Sequence, residues 1–563
     1  MPAILATGLL FCSEIHAGWT PLTNTPPGGA GIQMLILLSD GTVMAQLAPV
    51  GTTIQNQWYR LTPDSQGSYS NGTWTTLSPS IDTRLFYSSQ VLRDGRVLTA
   101  GGEYGTGGSA AEIYDPQANT WTATPAPGVF LSDSISKVLP NGTVLVAPAS
   151  GSITRIYDPV ANTWSAGPTP INPANQNEVT WLKLPDDSIL TVPTNSQTSQ
   201  RFIPSLNQWI ADGPVGVNLY SSVGSEIGGA FLLDNGDAFF IGGDNTTALY
   251  TPTGNNTAGQ WRAGPTIPNV RDSNNNLVAG GAPDAGACMM VNGRILCSFS
   301  PQMFANPNPP PPNVFPSPTS FAIYDRVANA FTIVNGPTGP TVNVPSYQNL
   351  MLALPNGQVL YSNYGAQLYV YSPDVSPAPL AVGKPTINSI TANADGSYHL
   401  TGTKLNGISE GASYGDDVQM DTNYPLVRLT SGSNVYYART YGWSSRGVQT
   451  ANAVVSTEFT LPPTIAEGGG GTYSLVVVAN GISSDPVTFA GPVWVDFVNY
   501  GVPFQFGTKS FPYRTLAQGI TAVSPTGTIL MRGPATSPAS FVTPPITKAV
   551  TILSIGGAST VLH

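Results

Sequence analysis

The stretch Val91-Leu92-Arg93-Asp94-Gly95-Arg96-Val97-Leu98-Thr99-Ala100-Gly101-Gly102, followed by Ile113-Tyr114-Asp115-Pro116-Gln117-Ala118-Asn119-Thr120-Trp121, decides how this chain is read. Short apolar runs flank Asp94-Gly95, and Asp-Gly supplies the positive φ angles that a two-residue hairpin turn needs. A glycine pair ends the hairpin. A third strand follows, then a turn marked by Asp-Pro and Asn, then a strand carrying Trp121. This four-strand unit recurs, so its copies are counted before anything else is read.

Working outward, hairpin turns occur at Asp40-Gly41, Asp94-Gly95, Asn141-Gly142, Asp186-Asp187, Asn235-Gly236, Asn292-Gly293 and Asn356-Gly357. A third strand follows each turn, as in Ile156-Tyr157-Asp158-Pro159 and Tyr369-Val370-Tyr371-Ser372-Pro373. An aromatic then closes six of the seven units: Trp74, Trp121, Trp164, Trp209, Trp261 and Phe331. The seventh lacks its aromatic, whereas Gly18-Trp19-Thr20-Pro21 has no strand before it. Trp19 is therefore expected to supply the outer strand of the last unit and close a ring without free edges. A period near 50 residues with Gly-Gly and Tyr/Trp marks resembles kelch repeats. The expected fold is all-β: a seven-bladed β-propeller over residues 18–382, whose repeated Tyr, Trp and Gly serve blade packing.

Composition agrees with many short strands. Of 563 residues, 41% are hydrophobic and 9% charged, with 60 Gly and 52 Pro, against about 25% charged in ordinary globular proteins. The net charge of −10 and the lack of a basic stripe argue against nucleic acid as a partner. No apolar run reaches the roughly 20 residues of a membrane-spanning helix. Residues 1–17 hold a short apolar run, Ile4 to Phe11, and small residues near Ala17. They read as a leader remnant without its basic region, or as a first strand. Cys288 and Cys297 flank Asn292-Gly293. A two-residue turn pairs them across the hairpin, at a spacing where a disulfide can form; the alternative is two buried thiols. The interruption Ser300–Ser320, with its Pro309–Pro312 run, reads as an extended loop.

After a Pro-rich linker the repeat stops. Alternating runs such as Thr386–Ile390, Val427–Leu429, Val435–Arg439 and Thr472–Val478 suggest an immunoglobulin-like sandwich over residues 383–490. Residues 491–563 show a short helix (Leu516, Ala517 and Ile520 on one face) between strands. They read as a β-helix-like module with one or two rungs, too few to bury a core alone, and so a candidate for self-association.

A kelch propeller followed by an immunoglobulin-like domain resembles the galactose oxidase and glyoxal oxidase family of secreted copper radical oxidases, in a bacterial branch with this domain order. The local motifs that carry it are Arg84-Leu85-Phe86-Tyr87-Ser88-Ser89, Gly281-Ala282-Pro283-Asp284-Ala285, Ser346-Tyr347-Gln348-Asn349, Gly411-Ala412-Ser413-Tyr414-Gly415-Asp416-Asp417 and Tyr424–Leu429. The resemblance implies a copper site made of two histidines, an axial tyrosine and a tyrosine cross-linked to cysteine. Carried across, the axial tyrosine is Tyr347, but the histidine beside it is Gln348. The cross-linked tyrosine falls on Phe86, with Tyr87 one residue away, and its cysteine on Ile32. The sandwich-domain histidine falls on Thr440, and the stacked tryptophan near Tyr104. The chain holds only His16, His399 and His563, whereas copper(II) favours imidazole.

The expectation is therefore a secreted or cell-surface binding protein without a cofactor, recognising a glycan or protein through the propeller face. Phe86, Tyr87, Tyr104, Tyr347, Gln348, Thr440 and Trp443 are the candidate contacts. Asp416, Asp417 and Asp421 form a weak calcium candidate through oxygen ligands. The alternatives are a divergent copper radical oxidase or another propeller enzyme, and a structural subunit of an extracellular layer.

Overall fold

A computed structural model describes residues 17–149, 151, 153–171, 176–194, 196–305, 313–375, 378–498, 504–537 and 545–561. The run Ile4–Phe11, Cys12, His16, Pro309–Pro312 and His563 lie outside the described residues. The chain is all-β, with a propeller-like arrangement of six four-stranded antiparallel blades. These blades carry the first five repeats and the last. The repeat turning at Asn292 runs through a larger, seven-stranded sheet. First strands of neighbouring repeats touch, as do Ile32–Leu37 with Leu350–Ala353 and Ser88–Val91 with Ile135–Val138, so these strands line a central axis. Gly18–Pro21 pairs antiparallel with Tyr369–Ser372, setting Trp19 opposite Tyr371. The Trp19 ring meets Phe321, Tyr361 and Tyr371 edge-on at 4.9–5.3 Å, an arrangement aromatic pairs favour.

The hairpin turns differ from the sequence expectation. Each loop has three residues, not two. Leu92 N donates to Arg96 O and Gly95 N to Leu92 O, and the same pair of bonds recurs from Leu38 to Leu354. The Asp or Asn side chain accepts from the backbone two residues on, as Asp94 Oδ1 does from Arg96 N at 3.0 Å. That bond favours a turn followed by one left-handed residue, supplied by Gly95 at φ 84° and, in the fourth repeat, by Asp187 at φ 63°. The extra residue shifts the register by one. Ala287 faces Cys297 and Cys288 faces Leu296, so the cysteines point to opposite faces of the sheet. Both are free, buried thiols, and the disulfide alternative is corrected. Burial pushes both thiols well above the usual range.

Beyond the propeller, eight strands from Thr386–Ala392 to Val487–Ala490 form one connected sheet around Leu400, Val427, Leu429, Phe459, Leu475 and Val477. The segment between its strands Tyr398–Thr403 and Leu426–Ser431 leaves this sheet and enters the propeller. Its stretch Ala412–Ser413 pairs with Ala287 and Cys288 on a first strand. Residues 405–427 are buried except Ser413. At the C-terminal end, Val493–Val495, Thr528–Arg532 and Thr551–Ile555 form a parallel sheet. The helix Leu516–Ala522 packs beside it, capped by Thr515 and Gln518. Among the described residues, no helix is long and apolar enough to cross a membrane.

Candidate functional site

The site is built by one position of the repeat. Eight residues before the turn residue stand Phe86 (for Asp94), Asp133 (Asn141), Glu178 (Asp186), Asp284 (Asn292) and Gln348 (Asn356). Each stands two to four residues before the first, axial strand of its repeat. In the fifth repeat a register shift in the strand Ile227–Leu232 moves the position to Glu226. Phe86, Asp133, Glu178 and Asp284 adopt φ of 37–53°, a region disfavoured for such side chains. All six of these side chains line one cavity of about 840 Å³ at the end of the axis. The equivalent position in the first repeat is Ile32, which is buried instead.

The plug segment that leaves the eight-stranded sheet completes the cavity. Its base is closed where Thr422 N donates to Glu410 O at 2.6 Å and Gly411 bridges Asp421. Its tip presents Tyr414, Asp416 and Asp417 to the cavity, where Glu103, Tyr104, Phe315, Tyr347 and Tyr364 join the lining. One wall is aromatic. Phe86 lies 6.3 Å from Tyr104 and 6.2 Å from Tyr347, which meets Phe315 at 5.2 Å. The other is acidic: Glu103, Asp133, Glu178, Glu226, Asp284, Asp416 and Asp417 converge, and no lysine or arginine lines the cavity among the described residues.

Seven carboxyls without a counter-charge cannot all ionise in a poorly hydrated site. Burial, followed by the charges of Asp416, Glu103 and Asp284, pushes Asp133 up to about 9. Burial, reinforced by neighbouring carboxylates, likewise drives Glu178, Glu226, Asp284 and Asp417 well above the carboxylate range. Asp416 is raised chiefly by burial. Tyr104 is raised to about 12, by burial first and then by its contact with Glu103. At neutral pH the cavity therefore holds protons, or it holds a cation.

Four sequence candidates meet here: Phe86, Tyr104, Tyr347 and Gln348, with Gln348 Nε2 3.4 Å from the Tyr347 hydroxyl. Three do not. Tyr87 is 1% exposed and points into the blade core, donating to Gln46 Oε1 at 2.5 Å; the left-handed turn at Phe86 sends only Phe86 to the cavity. Thr440 and Trp443 lie at the other end of the axis. Thr440 Oγ1 donates to Pro425 O at 2.7 Å, and Trp443 stacks on Tyr424 at 4.6 Å. The part of the chain that forms the eight-stranded sheet reaches the cavity through residues 411–423 instead. Asp421 is likewise separated from Asp416 and Asp417: it sits at the plug base, 3.5 Å from Lys137. His399 lies on the eight-stranded sheet, 2.5 Å from Glu458, and does not line the cavity.

Of the acidic set the sequence offered Asp416 and Asp417; Glu103, Asp133, Glu178, Glu226 and Asp284 were missed as site residues, yet a signal existed. Aligning the repeats on their turns puts an acid at the same offset in three units and one residue earlier in a fourth. The donor set also tests the copper centre that the resemblance implies. Among the described residues, carboxylates, tyrosines and one glutamine supply the donors that line the cavity, with no imidazole and no thiolate. These residues do not fit a site of two histidines and a cysteine-linked tyrosine.

Comparison with known proteins places these observations beside other structures. The chain is similar to a fungal alcohol oxidase of the AA5 family solved with copper. The TM-score is 0.48 at 14% identity, covering 84% of this chain and 99% of that one. It is also similar to YjhT, with a TM-score of 0.37 at 13% identity over 56% of this chain and 99% of that one. No protein-family model matches the chain, and no curated protein matches it in sequence.

Proposed function

We propose that the axial cavity binds part of a carbohydrate, and that the chain acts as a binding protein at a cell surface or outside it. The observation that supports this is the pairing of an aromatic wall with convergent carboxyls in about 840 Å³. Sugar rings present apolar C–H faces that stack on aromatic rings, and hydroxyls that carboxyls can both accept from and, when protonated, donate to. The volume is that of a small-ligand site, too small for a folded partner. A cavity lined by seven carboxyls and no cation disfavours phosphorylated or uronic ligands, so a neutral or amino sugar is the expected class. In this reading the run of four strands around Asn292 completes a seventh blade, the eight-stranded sheet is an immunoglobulin-like sandwich, and the C-terminal parallel sheet is the start of a β-helix. Phe504, Phe506 and Phe511, exposed and in ring contact, support self-association through that last module.

A glycan array followed by calorimetry on the hits tests the proposal. Saturable binding that falls at least roughly tenfold in Tyr347→Ala, a loss of about 1.4 kcal/mol, is the expected result. Silence across the array, or hits indifferent to that change, would overturn it.

A second reading is glycoside hydrolysis. A buried carboxyl held protonated to about pH 9, as Asp133 is, within a cluster of carboxyls is the kind of general acid such enzymes use. Release of reducing ends from a bound polysaccharide, abolished in Asp133→Asn, distinguishes it from binding alone. A peroxide-release assay on alcohols with added copper tests the oxidase alternative, which the donor set disfavours. A layer or filament role is tested by the oligomeric state in solution.

A further inference from the structure

We propose that Glu178, Asp284 and Asp416 form a binding site for a hard divalent cation, calcium first, at the floor of the axial cavity. One carboxylate oxygen from each of the three lies within 4.8 Å of the others. That is twice a typical calcium–oxygen distance of about 2.4 Å, so one ion can touch all three. The second observation is orphaned polarity. Asp416 is 3% exposed and Asp284 9%, yet Asp416 Oδ2 and Asp284 Oδ1 have no hydrogen-bond partner. A buried carboxylate oxygen left unpaired is costly, and a cation supplies the missing partner. Three charged oxygen donors with no nitrogen or sulfur select calcium, magnesium or manganese. Ligands drawn from three separate chain segments suit the irregular coordination calcium accepts better than the strict octahedron magnesium demands.

The placement gives the ion a task. Glu178 and Asp284 belong to the repeats turning at Asp186 and Asn292, whereas Asp416 is on the plug from the eight-stranded sheet. A bound ion would tie the plug tip to two separate repeats at the axis. Neighbouring Asp133, Glu226 and Asp417 add negative potential without a competing side-chain cation. Cation binding at this triad is independent of what occupies the cavity above it, since it is measured with no saccharide present.

The experiment uses the whole chain, stripped with chelator and dialysed. Calcium chloride, magnesium chloride and manganese chloride are titrated by calorimetry, and thermal unfolding is followed with and without each ion. One saturable equivalent of calcium and an upward Tm shift are expected. Asp416→Asn and Glu178→Gln should each weaken binding at least roughly tenfold, whereas Asp485→Asn, exposed and outside the cavity, should bind as the parent does. If Asp416→Asn does not fold, Glu178→Gln carries the test. Absence of saturable binding for all three ions, or parental affinity in both triad variants, overturns the site. Saturable magnesium or manganese binding without a calcium response keeps the triad and overturns the choice of ion.

Discussion

The two ends of the plug segment treat buried charge in opposite ways. At its base, Glu410 and Asp421 meet Lys137 at 3.1 and 3.5 Å. Lys183 Nζ donates to Val138 O and Arg446 O at 2.6 and 2.9 Å, and Arg446 donates to Asn423 Oδ1 at 3.0 Å. At its tip, only about half a dozen residues along the chain, seven carboxyls share a cavity that no lysine or arginine lines among the described residues. Burial opposes charge on Lys137, but Asp421 and Glu410 outweigh it and hold the ammonium above its ordinary range. Burial brings Lys183 down to about 8. The base is thus a structural joint in which charges neutralise one another. The tip is an arrangement that only protons or a ligand can neutralise, and uncompensated charge in a cleft is a mark of function.

The comparison can be broken most sharply at the base. Lys137→Met leaves two buried carboxylates without their closest cation and should destabilise the chain by about 3–5 kcal/mol, read from denaturant unfolding. A loss below about 1 kcal/mol would mean that the base is not a charge joint.

Next in size is the pH response of the tip. Its carboxyls have folded pKa values raised above their unfolded ones, so the folded state binds more protons. Stability is then full below about pH 4 and falls as pH rises toward 9, the value for Asp133. In chelator, Tm should decline steadily across that window, and a Tm that instead climbs between pH 5 and 8 would contradict the charge-starved tip. Asp133→Asn should flatten that decline and give a higher Tm than the parent at pH 8. Asn tolerates the left-handed backbone at this position, so the substitution changes charge rather than geometry. Smallest is Glu103→Gln: Glu103 is exposed, and the change should stay within about 0.5 kcal/mol. An effect as large as that of Asp133→Asn would show that burial is not what separates the carboxyls.

How much of this was legible in the chain differs by element. The turns at Asp94-Gly95 and its six counterparts marked the strands, because positive φ and Asx chemistry are local properties. The number of residues in each turn was not legible, because both turn types use the same residues; hence the error at Cys288 and Cys297. Phe86, Tyr104, Tyr347 and Gln348 were found through resemblance. Glu178 and Asp284 are more than a hundred residues apart, and only the ring of strands brings them together. Asp416 was visible as a carboxylate pair with Asp417, but grouped with Asp421, which the hairpin-like path of the plug carries to the opposite end.

By itself, then, the sequence determined the repeating hairpin, its axial strands and the residue that stands before each of them. Those follow from hydrogen bonds and side-chain alternation within a few residues. Tertiary structure alone decided that four such positions are acids facing one another and that a segment from another sheet threads the axis to meet them. Closure of the ring fixes those distances, and the electrostatic consequence exists only once the water between the carboxyls has been excluded.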